Sequence, residues 1–526
     1  MPLGFLALAI VLLLVGGALA ALLAAATTLP VASLLADSYL RHVIGFTLWQ
    51  AALSTALSVG LAIPVARAFA RQSRFLGRDW LLRLFLLPMV TPVIVAVFGI
   101  VAVYGTAGWV NSLLAAFGLA PQSHLYGLPG ILIAHVFFNL PLAVRLLLGA
   151  WDAVPGETWR LAAQLGMRPG VIFRVIEWPM LRERLPGAAL IVFLLCFMSF
   201  AAVLGLGGGP AATTLEVAMY QALRFDFDLD RAVALALLQV LFCATIALFA
   251  RRLAVALPAA GGQGRPIERD DRDRLSARLG DGACILLACV VLLPPLVAVL
   301  IDGLTGPVVG AVSDPALGAA MLRSLGIGLA AGLLATMLAL GLGQLMRGLR
   351  RMPGLAWAAA AVELAGMATV VISPLVLGTG FFLLLRGASG TAPVALAAIA
   401  TINGLMALPY VLRILAPAVL AAADRHDRLC AALGVAGWNR WRIVDWPTLK
   451  RSIGVALGFA AAFSAGDLGA AALFGGSEAT TLPLLLFQQL GAYRVDQAAV
   501  TALLLLLTSL GLFALFERVI GGHAAD

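Results

Sequence analysis

The stretch RLAAQLGMRPGVIFRVIEWP runs from Arg160 to Pro179, and RLCAALGVAGWNRWRIVDWP runs from Arg428 to Pro447. The copies align without a gap, pairing Gly166 with Gly434, Trp178 with Trp446 and Pro179 with Pro447. A charged segment repeated in an otherwise apolar chain marks a duplication with two equivalent docking points. In the first copy, Glu157 to Leu165 reads as about two turns of helix, with Leu161, Ala162 and Leu165 on one face and Arg160 beside it. Gly166 is placed to end that helix as its C′ residue. An exposed apolar stripe on a short helix suits a groove on a partner protein. A loop helix lying on the membrane surface shows the same pattern once, but has no reason to recur at a fixed interval.

Around these segments the chain is apolar. Of its 526 residues, 62% are hydrophobic and only 12% are charged, where a soluble protein carries about a quarter charged residues. Mean hydropathy is +1.02. The apolar residues fall in runs of about 20, the length that crosses the hydrocarbon core. The expected class is an all-α polytopic membrane protein; the short alternating segments of a β-barrel are missing. The net charge of +9 comes from arginines in short loops between apolar runs. That pattern reflects membrane topology rather than a face for nucleic acid. Lys450 is the single lysine, and no glycine run precedes it. A phosphate-binding G-x-x-x-x-G-K-[ST] loop is therefore excluded, and any nucleotide that drives this protein binds another chain. The five cysteines and five histidines lack metal-ligand spacing. With no nucleophile–base pair either, no metal, resident cofactor or enzymatic activity is expected.

Twelve spans are expected, at roughly 5–26, 44–66, 81–104, 128–149, 186–206, 231–250, 283–302, 320–346, 356–385, 393–416, 452–474 and 497–517. The arginine-rich loops all follow even-numbered spans, which places them and both termini in the cytoplasm. Retention of the first span is expected, because its apolar stretch exceeds a signal-peptide core and no basic residue precedes it. Residues 1–252 form one six-span half, with its repeated loop at 155–180; residues 283–526 form the second, with its loop at 423–448. Residues 253–282, rich in Gly, Pro, Arg and Asp, read as a cytosolic linker. Pro141 and Arg145 match Pro409 and Arg413, and Ala-Thr-Thr-Leu recurs at 212–215 and 479–482, followed by Gln221 and Gln488. Equal order and spacing give parallel repeats, both halves having the same orientation.

The form of the repeat, G, nine residues, I, one residue, W-P, resembles the EAA loop of ABC importer permeases. Arg160, Leu161, Ala162, Gly166, Ile176, Trp178 and Pro179 fall on its pattern in the first copy. Arg428, Leu429, Cys430, Gly434, Val444, Trp446 and Pro447 do so in the second. Neither copy has glutamate at the first position, although Glu157 lies one turn upstream, and tryptophan replaces the leucine before proline in both. PGETWRLAAQLGMR, VIEWP and LCFMSFAAVLGLGGGPAATTLEVAMYQALRFDFD (within 155–228) resemble the thiamine importer permeases more narrowly, a family in which two halves are fused. The resemblance implies the type I ABC importer permease fold in a bacterial inner membrane. It implies thiamine and its phosphate esters as cargo, and an external thiamine-binding protein that delivers them. It further implies two cytoplasmic ATPase subunits that bind ATP, with Glu157, Arg160, Leu161, Ala162, Leu165, Gly166, Trp178 and Pro179 coupling to one. Arg428, Leu429, Leu433, Gly434, Trp446 and Pro447 would couple to the other.

Other residues stand out. Asp467 lies inside the eleventh expected span, where a carboxylate is costly; it suits the charge of a cationic substrate, and equally a packing role beside Ser464. The glycines at 205 and 207–209 read as an external turn, or as a phosphate-cradling nest. Glu363 reads as a snorkelling interfacial residue. Trp178 and Trp446 suit either interfacial anchoring or locking of the docking helix to the following span. Two alternatives stand beside this reading. One is a permease of the same class for ferric iron or a polyamine; the other is an ion-coupled secondary transporter.

Overall fold

The computed structural model describes residues 2–26, 37–122, 124–253, 269, 271, 275–386, 391–476 and 478–521. Most of the expected linker, 253–282, thus lies outside the described residues. Those residues contain helices and no strand. The helices used below are α1 (Pro2–Ala26), α2 (Ser38–Arg71), α3 (Val93–Tyr104), α4 (Leu128–Asp152), α5 (Gly156–Gln164), α6 (Trp178–Phe197), α7 (Ala201–Leu206), α8 (Leu215–Arg224) and α9 (Leu229–Leu253). The rest are α10 (Leu275–Thr305), α11 (Pro315–Arg350), α12 (Ala356–Met367), α13 (Pro374–Leu384), α14 (Ala392–Ala432), α15 (Trp446–Ala465), α16 (Gly469–Phe474), α17 (Leu482–Gly491) and α18 (Val495–Gly521).

Nine of the described helical stretches are long and apolar enough to cross a membrane, and the pair 356–370 and 374–384, bent by 92°, brings the number to ten. The chain is a multi-span all-α membrane protein. The expected count of twelve differs in two places, the spans placed at 186–206 and 452–474. There α6 stops at Phe197 before the short α7, and α15 stops at Ala465 before the short α16. The breaks fall at Met198–Ser199–Phe200 and at Gly466–Asp467–Leu468, which are equivalent positions in the register of the repeated loops. Serine, glycine and aspartate all favour caps and turns over helix interiors, so hydropathy reads through a break that the backbone makes. The duplication is otherwise kept in the elements: α6, α7 and α8 correspond to α15, α16 and α17.

Each half gives its opening helix to the other. Helix α1 packs on α11 and α13, and α10 packs on α2 and α3. The buried seam of α1 is Gly4, Ala7, Val11, Val15, Ala18 and Leu22, the three-and-four spacing of one helix face. Small residues set the approach: a Cβ on Gly4 would lie 2.6 Å from Leu345 Cβ, and one on Gly341 2.6 Å from Ala7 Cβ. Likewise a Cβ on Gly99 would lie 2.3 Å from the Pro295 carbonyl oxygen, fixing α3 against α10. In lipid there is little hydrophobic drive between helices, so this close van der Waals packing decides which faces meet.

Candidate functional site

The repeated loop begins differently in the two halves. Ala153, Val154 and Pro155 separate α4 from α5, whereas Ala423 stands at the place of Pro155 inside the long, unbroken α14. Proline removes the amide a continuing helix needs, so the first loop helix is a free segment and the second is the end of a long rod. Both finish identically. Gly166 (φ 60°) and Gly434 (φ 65°) are left-handed. The Met167 amide donates to the Ala162 carbonyl at 3.0 Å, and the Gly166 amide to the Ala163 carbonyl at 2.9 Å. The second half repeats this with Val435 to Cys430 at 2.9 Å and Gly434 to Ala431 at 3.4 Å. These bonds are the Schellman pattern that the glycines allow.

Leu161 and Leu165 are exposed, as are Leu429 and Leu433. Glu157, Arg160 and Arg428 also face solvent. Ala162, expected on the exposed stripe, instead points inward with Trp159, and Cys430 does the same in the second half. The reason is geometric: on so short a helix, the residue beside Leu161 rotates onto the face that packs on the membrane domain. The free apolar face is therefore a leucine pair rather than a triad.

After each helix the chain makes a π-helical turn, Phe173–Glu177 and Trp441–Asp445, which aims the residue before Trp-Pro into the protein. Glu177 is fully buried, and Asp445 nearly so. Glu177 accepts from Arg67 Nε at 2.7 Å, Trp151 Nε1 at 3.0 Å and Arg269 Nη1 at 2.8 Å. Arg269 also lies over the Trp159 ring at 4.1 Å and pairs with Asp271 at 2.9 Å. In the second half, Arg347 pairs with Asp445 at 3.4 Å, and Asp427 gathers Arg347, Arg351 and Arg440. These charge clusters tie α5 to α2, and the end of α14 to α11. Composition alone gave no sign of them; the signal was an acidic residue before both Trp-Pro pairs. Trp178 and Trp446 are partly exposed and lie tilted against Phe173 and Trp441, with ring centroids 6.2 and 6.3 Å apart. Pro179 and Pro447 occupy the first turn of α6 and α15, where no amide is required.

The second group of features lies at the helix breaks. Asp467 is not inside a continuous span; it sits between α15 and α16, and its Oδ2 accepts the Ala470 amide at 3.0 Å. Pro92 of the first half abuts Gly466, where a Cβ would lie 2.7 Å from the proline ring, and Pro374 abuts Gly469. The repeated Ala-Thr-Thr-Leu holds the break region in place: Leu215 donates its amide to Thr47 Oγ1 at 3.0 Å, and Leu482 to Ser324 Oγ at 2.8 Å. Gly208 and Gly209 are left-handed and belong to this connection. Glu363 is exposed on α12.

The chain is 47% identical over 488 residues to the thiamine transport system permease protein of Salmonella typhimurium, covering 93% of this chain and 90% of the relative. It is 43% identical over 516 residues to the protein of the same description from Brucella abortus, covering 98% and 94%. A molybdenum transport system permease protein of Mycobacterium bovis is 31% identical over 198 residues, 38% of this chain and 74% of the relative. No protein-family model matches the chain.

Proposed function

The chain belongs to the family of thiamine transport system permease proteins, and from that premise we propose how its two loops and its helix breaks divide the work of transport. The chain is the membrane-spanning permease subunit of a thiamine ABC transporter. In our reading it lies in a bacterial inner membrane with its arginine-rich loops and termini in the cytoplasm, joined by a cytosolic linker over 253–282. Two ATPase subunits bind ATP and each receives one loop. Leu161 and Leu165 enter one groove and Leu429 and Leu433 the other, with Glu157, Arg160 and Arg428 at the rims. An external thiamine-binding protein presents thiamine or its phosphate esters to the opposite face.

The observation that carries this reading is the pair of leucine-faced helix ends, each closed by a left-handed glycine and each pinned to a long span by a buried arginine–carboxylate contact. A rigid tie of this kind passes a displacement of the docking helix to α2 and α11, so that closure of the ATPases rocks the halves against each other. Cargo then moves between the halves past the breaks, with Asp467 on that passage. A secondary transporter needs no such paired docking ends.

The test is uptake of radiolabelled thiamine into proteoliposomes holding the full complex, comparing the native chain with the double variant Gly166→Asp, Gly434→Asp at equal membrane levels. Loss of uptake together with loss of ATPase co-purification is the expected result. Gradient-driven uptake that survives in the variant overturns the coupling role of the loops.

A further inference from the structure

Glu216 is the second residue of α8, next to the Leu215 amide that Thr47 holds. Its side chain is wholly buried. One oxygen, Oε1, accepts from Gln239 Nε2 at 2.9 Å. Beyond Gln239, the carboxylate meets the Ser373 hydroxyl; Gln239 Oε1 has no hydrogen-bond partner. Among the described residues no arginine, lysine or histidine pairs with this carboxylate. The buried acidic clusters elsewhere in the protein have their arginines: Glu177 has Arg67 and Arg269, Asp281 has Arg71, and Asp427 and Asp445 have Arg347.

The place is as informative as the lack of a basic partner. Helix α8 belongs to the first half but packs on α13 and α16 of the second. Ser373, whose hydroxyl donates toward Glu216 while accepting the Val376 amide at 3.2 Å, opens α13 immediately after the 92° bend. Pro374 abuts Gly469, which follows Asp467 closely in the chain. Glu216 thus stands where the helix breaks of the two halves meet. It is also not part of the duplicated framework. With the two Ala-Thr-Thr-Leu segments aligned, the second half has Pro483 where the first has Glu216. With Asp230 of α9 aligned to Asp496 of α18, Leu505 stands where the first half has Gln239. A carboxylate kept for packing is expected in both halves, as Glu177 and Asp445 are.

A buried carboxylate held only by an amide and a hydroxyl, facing an interface rather than a basic residue, is arranged to meet a cation that comes and goes. We propose that Glu216, oriented by Gln239, is the counter-charge for the organic cation in transit, contacting the thiazolium ring of thiamine when the halves part. Asp467 differs in that its carboxylate is already engaged by the α16 backbone. This inference rests on the reading that the chain carries thiamine.

The experiment uses the complete transporter in proteoliposomes, with thiamine and its uncharged thiophene isostere as competing cargoes. The native complex is expected to favour thiamine. Glu216→Gln keeps the volume and a hydrogen bond to Gln239, and is expected to raise KM for thiamine at least roughly tenfold, the loss of one close opposite-charge contact. KM for the isostere stays unchanged, and Glu216→Asp retains the preference for the cation. An unchanged KM for thiamine in Glu216→Gln overturns the proposal. So does an equal rise for both cargoes, which marks a packing role. If the native complex moves no thiamine at all, the thiamine reading itself falls and takes this proposal with it.

Discussion

Arg67 donates to Glu177 at 2.7 Å, and Arg347 faces Asp445 at 3.4 Å, the two carboxylates holding the same place before Trp-Pro in the two repeats. The contact is the same device made twice, yet its two copies are unequally loaded. Glu177 serves Arg67, Arg269 and Trp151, while Asp445 serves Arg347 and Arg440, both of which also have Asp427 as an acceptor. Glu177→Gln is therefore expected to destabilise by about 3–5 kcal/mol, since it leaves buried charge uncompensated. Asp445→Asn is expected to cost less. Thermal unfolding of the purified complex in detergent ranks the two; a larger effect at Asp445 contradicts the assignment.

The leucine pairs give a prediction of opposite character. Leu165→Asp and Leu433→Asp change exposed positions, so stability is expected to stay within roughly 0.5 kcal/mol. ATPase association falls in each variant and is lost when both are combined, which co-purification in detergent reads directly. Retained association in the double variant removes the leucine faces from the docking surface.

The glycine seam between α1 and α11 is a matter of space. At Gly341 a Cβ would sit 2.6 Å from Ala7 Cβ and 3.2 Å from the Leu3 carbonyl oxygen. Gly341→Leu is expected to cost about 1–3 kcal/mol as overpacking, while Gly326→Leu, whose Cβ meets nothing within 4 Å, is expected to be mild. Equal melting temperatures for the two would show that α1 does not pack there.

At the break, Asp467 has two separable properties. Asp467→Asn still accepts the Ala470 amide and should fold normally, whereas Asp467→Ala loses a cap worth about 1 kcal/mol. If the charge itself serves the passage, thiamine uptake falls in both variants, and that is the expected outcome. Uptake by Asp467→Asn at the native rate limits the residue to capping.

Much of the site was legible because it is local. The loop helix, its closing glycine and the Trp-Pro start of the next helix are set within one short segment by propensity and backbone freedom, and the duplication displayed them twice. The helix breaks were not legible, because hydropathy is indifferent to whether an apolar run is one helix or two. Asp467 was read as lying inside a span for that reason. Ala162 was placed on the wrong face because a two-turn helix shows too little periodicity to tell which of its apolar residues the protein covers.

By itself the sequence determined the membrane-spanning helical class, the duplication and the paired glycine-closed loops; each follows from composition or from short-range pattern. The tertiary structure alone decided that α1 and α10 cross between halves, that Arg269 reaches Glu177, and that Glu216 meets the second half with no basic partner among the described residues. The physical reason is that lipid and protein interior are equally apolar to a side chain. Hydropathy marks what enters the membrane. Which helix faces which is settled by glycines at opposite ends of the chain and by charges whose partners lie far away in sequence, as Arg67 and Arg269 do from Glu177.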